Sequence, residues 1–269
     1  MKYDLAVITV SHNDLNEACL GSIERARAAS KSSVQVIIAD NASTEFRANE
    51  VVKKFIPSAI CLLRNGDFGF GSSCNRGAKE ATARYYLFLN PDTVLHDEKV
   101  FDQLVEFLDK NPKAGIVAPK VLYIDGRLQE TCRRFPLWFM PIVQRTSLSE
   151  AAWANKYNSQ YLMHDYDHNT LRMVDWVQGS ALCISAELFW ELSGFDKRFW
   201  MYFEDVDLCR RSWTKGRPVY YLASAEVQHA HTKASARKGS QILNLLQNRM
   251  ARAHLKSWLQ YLHKWWRKS

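Results

Sequence analysis

The sequence predicts an α/β fold built on a parallel sheet, because short apolar strands alternate with helical patterns along its first half. The stretches at residues 5–10, 34–39 and 59–63 have the length and β-branched content of buried strands. Each stretch ends in a loop rich in carboxylate or amide side chains. In a parallel sheet, the loops that come after the strands lie at one edge, where such folds bind their ligands.

The fourth predicted strand, residues 85–89, stops at Asn90-Pro91-Asp92. Pro91 lacks a backbone donor and ends the strand, so Asp92 is presented just beyond it. A carboxylate in this position suits a divalent cation that takes further oxygen ligands from a substrate diphosphate. Asn-Pro-Asp is also ordinary turn chemistry, and the motif by itself favours the turn.

Capping and periodicity predict the remaining elements. The helix after the first strand is predicted to begin at Asn13 or Asp14 and to run to about residue 29. Further helices are predicted over 97–110 and 187–192 and from residue 204, ordered structure over 173–184, further strands over 115–124, 219–222 and 226–231, and a turn at 125–126. Residues 133–172 are weakly periodic and are interpreted as a variable, partly irregular insertion that covers the site.

Residues 66–77 are the most glycine-rich part of the chain and lead into a helix predicted over 73–84. They contain neither a GxGxxG after a strand nor a GxxxxGK[ST], so neither a Rossmann nor a P-loop site is supported. The glycines fit two interpretations equally: a backbone that approaches phosphates at a helix N-terminus, or a structural loop.

An acidic cluster comes after five aromatic or apolar residues, 199–203. Glu204, Asp205 and Asp207 occupy the first turn of a predicted helix, where acids complement the helix dipole on a solvated face. That interpretation does not explain the aromatic run before them. A carboxylate at the mouth of an aromatic pocket is typical of a general base, because burial raises its pKa toward neutrality.

Two histidines close the predicted sheet. His229 and His231 are two residues apart, so on a strand their side chains point the same way. A lone histidine is more often structural than a ligand, whereas two that face together make a metal site about as plausible as a structural role.

Composition limits the function classes. The 269 residues carry a net charge of +8, and residues 232–269 hold nine Lys or Arg and no acid, so the body is near neutral. The six cysteines form no CxxC pair and are expected to be reduced thiols. No signal segment and no apolar run of membrane-spanning length is found, which predicts a cytoplasmic location. A nucleic-acid-binding protein is disfavoured because no recognised module is present and the positive charge is confined to the tail.

The tail itself, residues 241–268, has the pattern of an amphipathic helix. One arc carries basic residues and the adjoining arc is apolar, with Leu255, Trp258, Leu259, Leu262, Trp265 and Trp266. This composition is typical of a helix that lies in a membrane interface. The alternative is a helix that packs its apolar arc on the protein's own core.

Taken together, the chain closely resembles the family 2 glycosyltransferases of GT-A fold, and among them the bacterial rhamnosyltransferases of O-antigen and cell-wall polysaccharide synthesis. The order and spacing of several segments carry the resemblance, which covers residues 5–235. These segments are residues 7–13, 38–43, 65–77, 87–92, 174–179, 194–196 and 199–211.

The resemblance implies a Rossmann-like, mixed and mostly parallel sheet flanked by helices. It implies a domain over 1–235, with a nucleotide-sugar half (1–125) and an acceptor half (126–235), before a helical tail (236–269). It implies inverting transfer of a sugar, most simply L-rhamnose from dTDP-L-rhamnose, to a lipid-linked glycan. The alternatives are another nucleotide sugar, such as a UDP- or GDP-hexose, and a non-catalytic relative.

The resemblance also assigns roles to residues. Asp205 matches the catalytic base, and Asp92 with His229 would hold Mg²⁺ or Mn²⁺ on the donor diphosphate. Asn90 stands where the metal-binding DxD motif has its first aspartate. The expected donor-binding residues are Thr9, Asn13, Asp40, Asn41, Asn75, Asn90 and Asp92, and the expected acceptor-binding residues are Trp176, Gly179 and Glu204.

Overall fold

A computed structural model of the chain describes residues 1–43, 48–63, 66–139, 143, 151–230 and 248–266. Its centre is a nine-stranded mixed sheet, beside which β7 and β9 form a small second sheet. The strands are β1 (Tyr3–Ser11), β2 (Val34–Asp40), β3 (Ile60–Leu62), β4 (Ala83–Leu89), β5 (Thr93–Val94), β6 (Ile116–Leu122), β7 (Cys132–Arg133), β8 (Arg172–Val174), β9 (Trp176–Val177), β10 (Ala181–Ser185) and β11 (Val219–His229).

Helices cover both faces of the large sheet. They are α1 (Glu17–Ala29), α2 (Ala48–Phe55), α3 (Phe70–Glu80), α4 (Val100–Lys110), α5 (Ala152–Tyr161), α6 (Ala186–Glu191), α7 (Glu204–Thr214) and α8 (Arg249–Trp265). Successive side chains of a strand point to opposite faces. In β1, Leu5 and Val7 therefore enter the core shared with α1, α2 and α4, whereas Ala6 and Ile8 enter the core shared with α3, α6, α7 and α8.

The strand directions bring the polar loops to one edge. The main sheet runs β3-β2-β1-β4-β10-β6-β11-β5, with β8 also paired to β11. Neighbours among β3, β2, β1 and β4 are parallel, β10 is antiparallel to both β4 and β6, and β11 is parallel to β6. The ends of β1, β2, β4 and β11 and the start of β10 therefore share an edge. This arrangement confirms the predicted α/β fold with a mixed, mostly parallel sheet.

Several predicted boundaries move. Helix α1 begins at Glu17 with Asn16 as its cap, since the Asn16 Oδ1 accepts the Ala18 N–H over 2.8 Å. The predicted caps Asn13 and Asp14 lie in the preceding turn, with Asn13 in the left-handed region. Helix α3 covers 70–80 rather than 73–84, and the two strands predicted over 219–231 are one irregular strand, β11. His231 lies outside the described residues.

The C-terminal helix α8 packs on the body of the protein. Trp258 and Trp265 are buried in the core that includes α7, whereas Leu259 and Trp266 are about half exposed. The arc predicted to enter a membrane is thus divided, and its two buried tryptophans fit the alternative interpretation of a helix packed on its own core. No described helix combines the length and apolar character that crossing a membrane requires. None of the six cysteines is in a disulfide, as predicted.

Candidate active site

Asp92 and His229 meet at the shared sheet edge, although 137 positions separate them in the sequence. Strand β4 ends before Asn90, and β5 pairs with β11 so that Thr93 lies opposite His229. This pairing brings the Asp92 Oδ1 within 3.0 Å of the His229 Nε2. The Asn90 Nδ2 is 3.2 Å from the same ring nitrogen. The structure therefore unites the predicted metal pair and places Asn90 beside it.

Gln129, which the sequence did not single out, fixes the ring of His229. Its Nε2 donates to the His229 carbonyl over 2.7 Å, so its Oε1 is the atom that lies 3.1 Å from His229 Nδ1. An amide oxygen only accepts, so Nδ1 carries a proton, and Nε2 is the ring nitrogen that faces Asp92 and Asn90. A histidine that ligates a metal through one nitrogen is oriented in this way through the other.

This donor set fits a divalent cation shared with a substrate. The His229 Nε2 and the Asp92 Oδ1, 3.0 Å apart, have the spacing of neighbouring ligands of an octahedral ion, since bonds of about 2.1 Å put such ligands about 3 Å apart. The described residues contain no cluster of three or more His, Cys, Asp or Glu that could hold a metal. The remaining ligands would have to come from substrate and water.

The residues predicted to bind the nucleoside lie at the ends of β1 and β2, where Ser11 pairs with Asp40. Asp40 accepts hydrogen bonds from the backbone N–H and the hydroxyl of Ser43, and the Asn13 N–H donates to the Ser43 hydroxyl over 2.9 Å. The hydroxyls of Thr9 and Ser11 are buried without a hydrogen-bond partner among the described residues. Buried hydroxyls are normally paired, so this site offers groups for a polar ligand. Ser11 is an addition to the predicted set.

Asn75, predicted to contact the donor, holds the backbone of Phe195 through its side-chain amide. Its Nδ2 donates to the Phe195 carbonyl and its Oδ1 accepts the Phe195 N–H, both over 2.8 Å. Both ends of the buried amide are therefore engaged by backbone.

Asn41 likewise binds protein groups, since its Nδ2 donates to the Asp67 Oδ1 over 2.8 Å and its Oδ1 accepts from Phe68 N and the Ser73 hydroxyl. Asp67 was not predicted. Besides Asn41, its carboxylate accepts hydrogen bonds from Trp200 and Arg249. The amides of Asn41 and Asn75 therefore hold the loops that surround the edge.

The glycine-rich segment is a structural loop. Gly69 has a φ of +81°, and a Cβ there would stand 2.0 Å from the carbonyl oxygen of Trp200. The same oxygen accepts the Phe70 N–H over 3.1 Å at the start of α3. The first amide of this helix therefore binds protein, and the structure does not support the phosphate interpretation of this helix N-terminus.

Asp205 stands at the start of α7, buried at 8 % exposure. Its Oδ2 accepts the Gly179 N–H over 2.9 Å, and its Oδ1 accepts the Val206 N–H over 2.8 Å. The two residues before the carboxylates, Tyr202 and Phe203, both have left-handed backbones, a strained conformation that is common at functional sites. The solvated-face interpretation of the acidic cluster is wrong, because Glu204, Asp205 and Asp207 are all buried.

Burial sets the protonation of Glu204 and Asp205. Loss of solvation raises the pKa of Asp205 above its ordinary value, against the lowering effect of the Gly179 and Val206 N–H groups and of the Arg133 charge. Burial and the neighbouring Asp205 raise the pKa of Glu204 well above its ordinary value. The Glu204 Oε2 has no hydrogen-bond partner among the described residues. Asp205, with two N–H donors on its carboxylate, is therefore the better placed of the two to act as a base.

The predicted acceptor residues Trp176 and Gly179 lie beside Asp205. Strand β9 carries Trp176 and leads directly to Gly179, whose N–H holds the carboxylate. Trp176 is buried, and its Nε1 donates to the Arg134 carbonyl over 2.8 Å. A carboxylate held in this way can remove a proton from a sugar hydroxyl that reaches it.

Comparison with known proteins decides the family. The family model described as Glycosyl transferase family 2 matches residues 6–170. The chain belongs to this family. It is therefore a glycosyltransferase, as predicted. The matched segment contains Asp40 and Asp92 but ends before Asp205 and His229, so the placement of the latter two rests on the geometry above.

Several relatives of this glycosyltransferase have informative names. It is 28% identical over 218 residues to the N-acetylglucosaminyl-diphospho-decaprenol L-rhamnosyltransferase of Mycobacterium tuberculosis, covering 76% of this chain and 69% of that protein. It is 24% identical to the rhamnosyltransferase WbbL of Escherichia coli, covering 65% of this chain and 66% of the relative.

Solved structures share the fold of this glycosyltransferase. A structure of GalNAc-T7 with UDP, GalNAc and Mn²⁺ is similar with a TM-score of 0.61 at 15% identity, over 84% of this chain and 43% of that one. Staphylococcus aureus TarS is similar with a TM-score of 0.58 at 14% identity, over 85% of this chain and 37% of that one. The chain thus spans less than half of these two structures, and the likeness supports the GT-A fold.

Proposed function

We propose that the chain is an inverting glycosyltransferase that moves L-rhamnose from dTDP-L-rhamnose to a lipid-linked glycan acceptor in O-antigen or cell-wall polysaccharide synthesis. The observation that carries the catalytic part is the buried carboxylate of Asp205, held by the Gly179 N–H at the sheet edge that also carries Asp92 and His229. A base and a diphosphate-binding pair at one edge are what a single displacement at a sugar carbon requires.

In the proposed reaction, Asp205 takes the proton of the acceptor hydroxyl as the oxygen attacks the anomeric carbon. The bond from that carbon to the donor diphosphate breaks on the opposite face, so the configuration inverts and no covalent enzyme intermediate is needed. Asp92 and His229 would hold a Mg²⁺ or Mn²⁺ ion, which supplies charge to stabilise the leaving diphosphate. Asn90 donates its amide toward the same place.

Around the donor, Asp40, Thr9, Ser11 and Asn13 form the proposed nucleoside wall. Its support is that the buried hydroxyls of Thr9 and Ser11 have no hydrogen-bond partner within the described part of the chain. The choice of rhamnose and of a polyprenyl-diphosphate acceptor is supported by the names of the relatives alone. Another nucleotide sugar, such as a UDP- or GDP-hexose, is the alternative donor. A non-catalytic relative is disfavoured because the candidate base is present and buried in a supported geometry.

A lipid-linked acceptor places the enzyme at a membrane, and we assign the contact to the exposed face of α8. This face carries a stripe at spacings of three and four residues, which consists of Arg252, Lys256, Leu259, His263 and Trp266. The exposed ring of Trp138 extends it, at 5.4 Å between ring centroids from Trp266. Exposed tryptophans among cations suit the cytoplasmic face of an anionic membrane.

The decisive experiment is turnover against a panel of nucleotide sugars with a short polyprenyl-diphosphate N-acetylglucosamine as acceptor. Rhamnose transfer from dTDP-L-rhamnose with inversion is expected. Asp205→Asn should retain donor binding and lose about 10²–10⁴-fold in rate. The control is Asp109→Asn, whose carboxylate pairs with Arg84 at the far end of the sheet. Transfer from a UDP-hexose but not from dTDP-L-rhamnose would overturn the assignment of the donor. A near-normal rate for Asp205→Asn would overturn the assignment of Asp205 as the base.

A further inference from the structure

Arg133 is a cation on the acceptor side of the site that sequence analysis did not single out. It lies on β7, directly opposite Trp176 on β9, so the two side chains share a face. Its guanidinium carbon is 5.2 Å from the centroid of the Trp176 ring and 5.7 Å from that of Tyr161. The two rings hold the planar group in place while leaving its charge unneutralised.

The fold uses only part of this guanidinium. The Arg133 Nε donates to the Glu130 carbonyl over 2.9 Å, whereas the Glu130 carboxylate binds His164 instead. Within the described ranges, no carboxylate lies at ion-pair distance from Arg133, in contrast to Arg134 next to it, which approaches Asp165 at 3.5 Å.

The position of Arg133 relates it to the reaction. The strand that carries its partner Trp176 continues to Gly179, whose N–H holds Asp205. Asp205 is close enough to Arg133 for the charge to act on it. Burial raises the pKa of Asp205, and the Arg133 charge lowers it. In the proposed reaction the acceptor hydroxyl must reach Asp205, so the rest of the acceptor passes the side of the site where Arg133 and Trp176 lie.

We propose that Arg133 binds the diphosphate of the acceptor, with the first acceptor sugar lying between this guanidinium and Asp205. This inference rests on the proposed function. In a sugar linked to a lipid through diphosphate, the anionic group lies about one sugar ring from the accepting hydroxyl. A planar guanidinium binds phosphate oxygens through two parallel N–H donors, which a surface lysine does not reproduce.

The test compares two acceptors and three variants. The acceptors are a short polyprenyl-diphosphate sugar and an uncharged alkyl glycoside of the same sugar. Arg133→Gln should lose about 10–100-fold in kcat/KM on the diphosphate acceptor, as expected for a lost charge-assisted contact. On the alkyl glycoside it should change by less than about 3-fold, because this acceptor has no phosphate for the guanidinium to bind. Arg133→Lys should recover part of the loss.

Arg134→Gln is the matched control and should behave as wild type on both acceptors, since the contact of Arg134 with Trp176 is made by its backbone carbonyl. Two results would show that Arg133 only supports or tunes Asp205. One is that Arg133→Gln loses kcat/KM equally on both acceptors. The other is that it shifts the acid limb of the pH–rate profile by the same amount with both acceptors. Both results overturn the inference.

Equilibrium binding of a short polyprenyl diphosphate, measured by tryptophan fluorescence, separates this inference from the proposed function. Binding by wild type and Arg134→Gln but not by Arg133→Gln supports the diphosphate site even if no nucleotide sugar is turned over. Binding that is unchanged in Arg133→Gln overturns it, whatever the enzyme transfers. Thermal unfolding of each variant checks that Arg133→Gln is folded.

Discussion

The indole Nε1 of Trp265 donates a hydrogen bond to the buried Asp207 Oδ1 over 2.9 Å, and this bond ties the last helix of the chain to the helix that carries Asp205. Lys264 reinforces the contact, since its Nζ lies 2.6 Å from the Asp207 carboxylate and 2.8 Å from Asp196. Arg211 completes the pairing of Asp207 from within α7. Asp207 therefore connects α8 to the active-site helix.

Helix α8 also holds the strained turn before Glu204. The Ser257 hydroxyl donates to the Met201 carbonyl over 2.7 Å, and the His254 ring packs 5.1 Å from Tyr202 and 5.3 Å from Phe203. Arg249 lies over the Trp200 ring at 4.4 Å. The helix predicted as a separate tail thus contacts each residue from 200 to 203, directly before Glu204 and the proposed base Asp205.

We expect Trp265→Phe to lower stability by about 1.5–3 kcal/mol, because it removes a hydrogen bond to a buried charge. Trp266→Phe, one position on and exposed, should stay within about 0.5 kcal/mol of wild type. Denaturant unfolding measures both. Equal stability of the two variants would show that α8 is not an integral part of the core.

Glu204 should make stability fall with rising pH. Burial and Asp205 raise its folded-state pKa well above the ordinary 4.5, so the folded protein keeps a proton that the unfolded chain releases. The stability is fully present below pH about 4.5 and is lost as pH rises through the folded pKa. Glu204→Gln should reduce this slope, leaving the part that comes from Asp205, and melt at a higher temperature than wild type at neutral pH. If the melting temperatures of wild type and Glu204→Gln changed in parallel from pH 4 to 8, this prediction would be contradicted.

His229 should be required for binding of divalent metal with the donor. We expect His229→Ala to weaken Mn²⁺-dependent binding of dTDP by about 10-fold or more, measured by calorimetry, because it removes one of the two protein ligands. His96→Ala is the control: its ring pairs with Gln228, the neighbour of His229, on the exposed side. Full dTDP binding and turnover after exhaustive chelation would refute the metal site.

A comparison of two glycines with similar backbone angles distinguishes the cost of a left-handed backbone from the cost of a steric clash. Gly69 and Gly126 have φ of +81° and +82°, but only at Gly69 would a Cβ collide with another group, 2.0 Å from the Trp200 oxygen. Gly126→Ala should cost about 1 kcal/mol for the left-handed backbone alone. Gly69→Ala should cost on the order of 3 kcal/mol or more and reduce the folded yield. Similar unfolding free energies would mean that the Trp200 loop moves aside.

The exposed face of α8 should bind anionic vesicles. Trp266→Ser should weaken binding to phosphatidylglycerol vesicles at every salt concentration, because it removes apolar area. Lys256→Glu should weaken it mainly at low salt, since a basic residue near such a surface contributes about 1 kcal/mol and is screened. Leu171→Ser, exposed on a different part of the protein, is the control. Sedimentation with vesicles measures all three, and wild-type binding by Trp266→Ser would exclude this face.

Local pattern was enough to predict the sheet and its ligand edge. Apolar runs of strand length between helical patterns define the strands, and their parallel order places the loops that hold Asp40 and Asp92 at one edge. The roles expected of these two residues come from the family resemblance. Asp205 is predicted because an acidic cluster comes directly after an aromatic run. Each of these signals lies within a few residues, which is the range over which periodicity and capping act.

Only the tertiary structure decided what those residues contact. Gln129 orients His229 from 100 positions away, and Asn75 is engaged by Phe195 at a separation of 120. Neither of these two contacts can be predicted from the residues that neighbour its members in the sequence. The same holds for α8: helical spacing tells which residues share a face, but not whether membrane or protein covers it. Which of the two covers it depends on the shape and charge of the protein surface that faces the helix. On that surface, the buried Asp207 accepts the hydrogen bond of Trp265, whereas Trp266 remains exposed. This surface forms only when the chain folds.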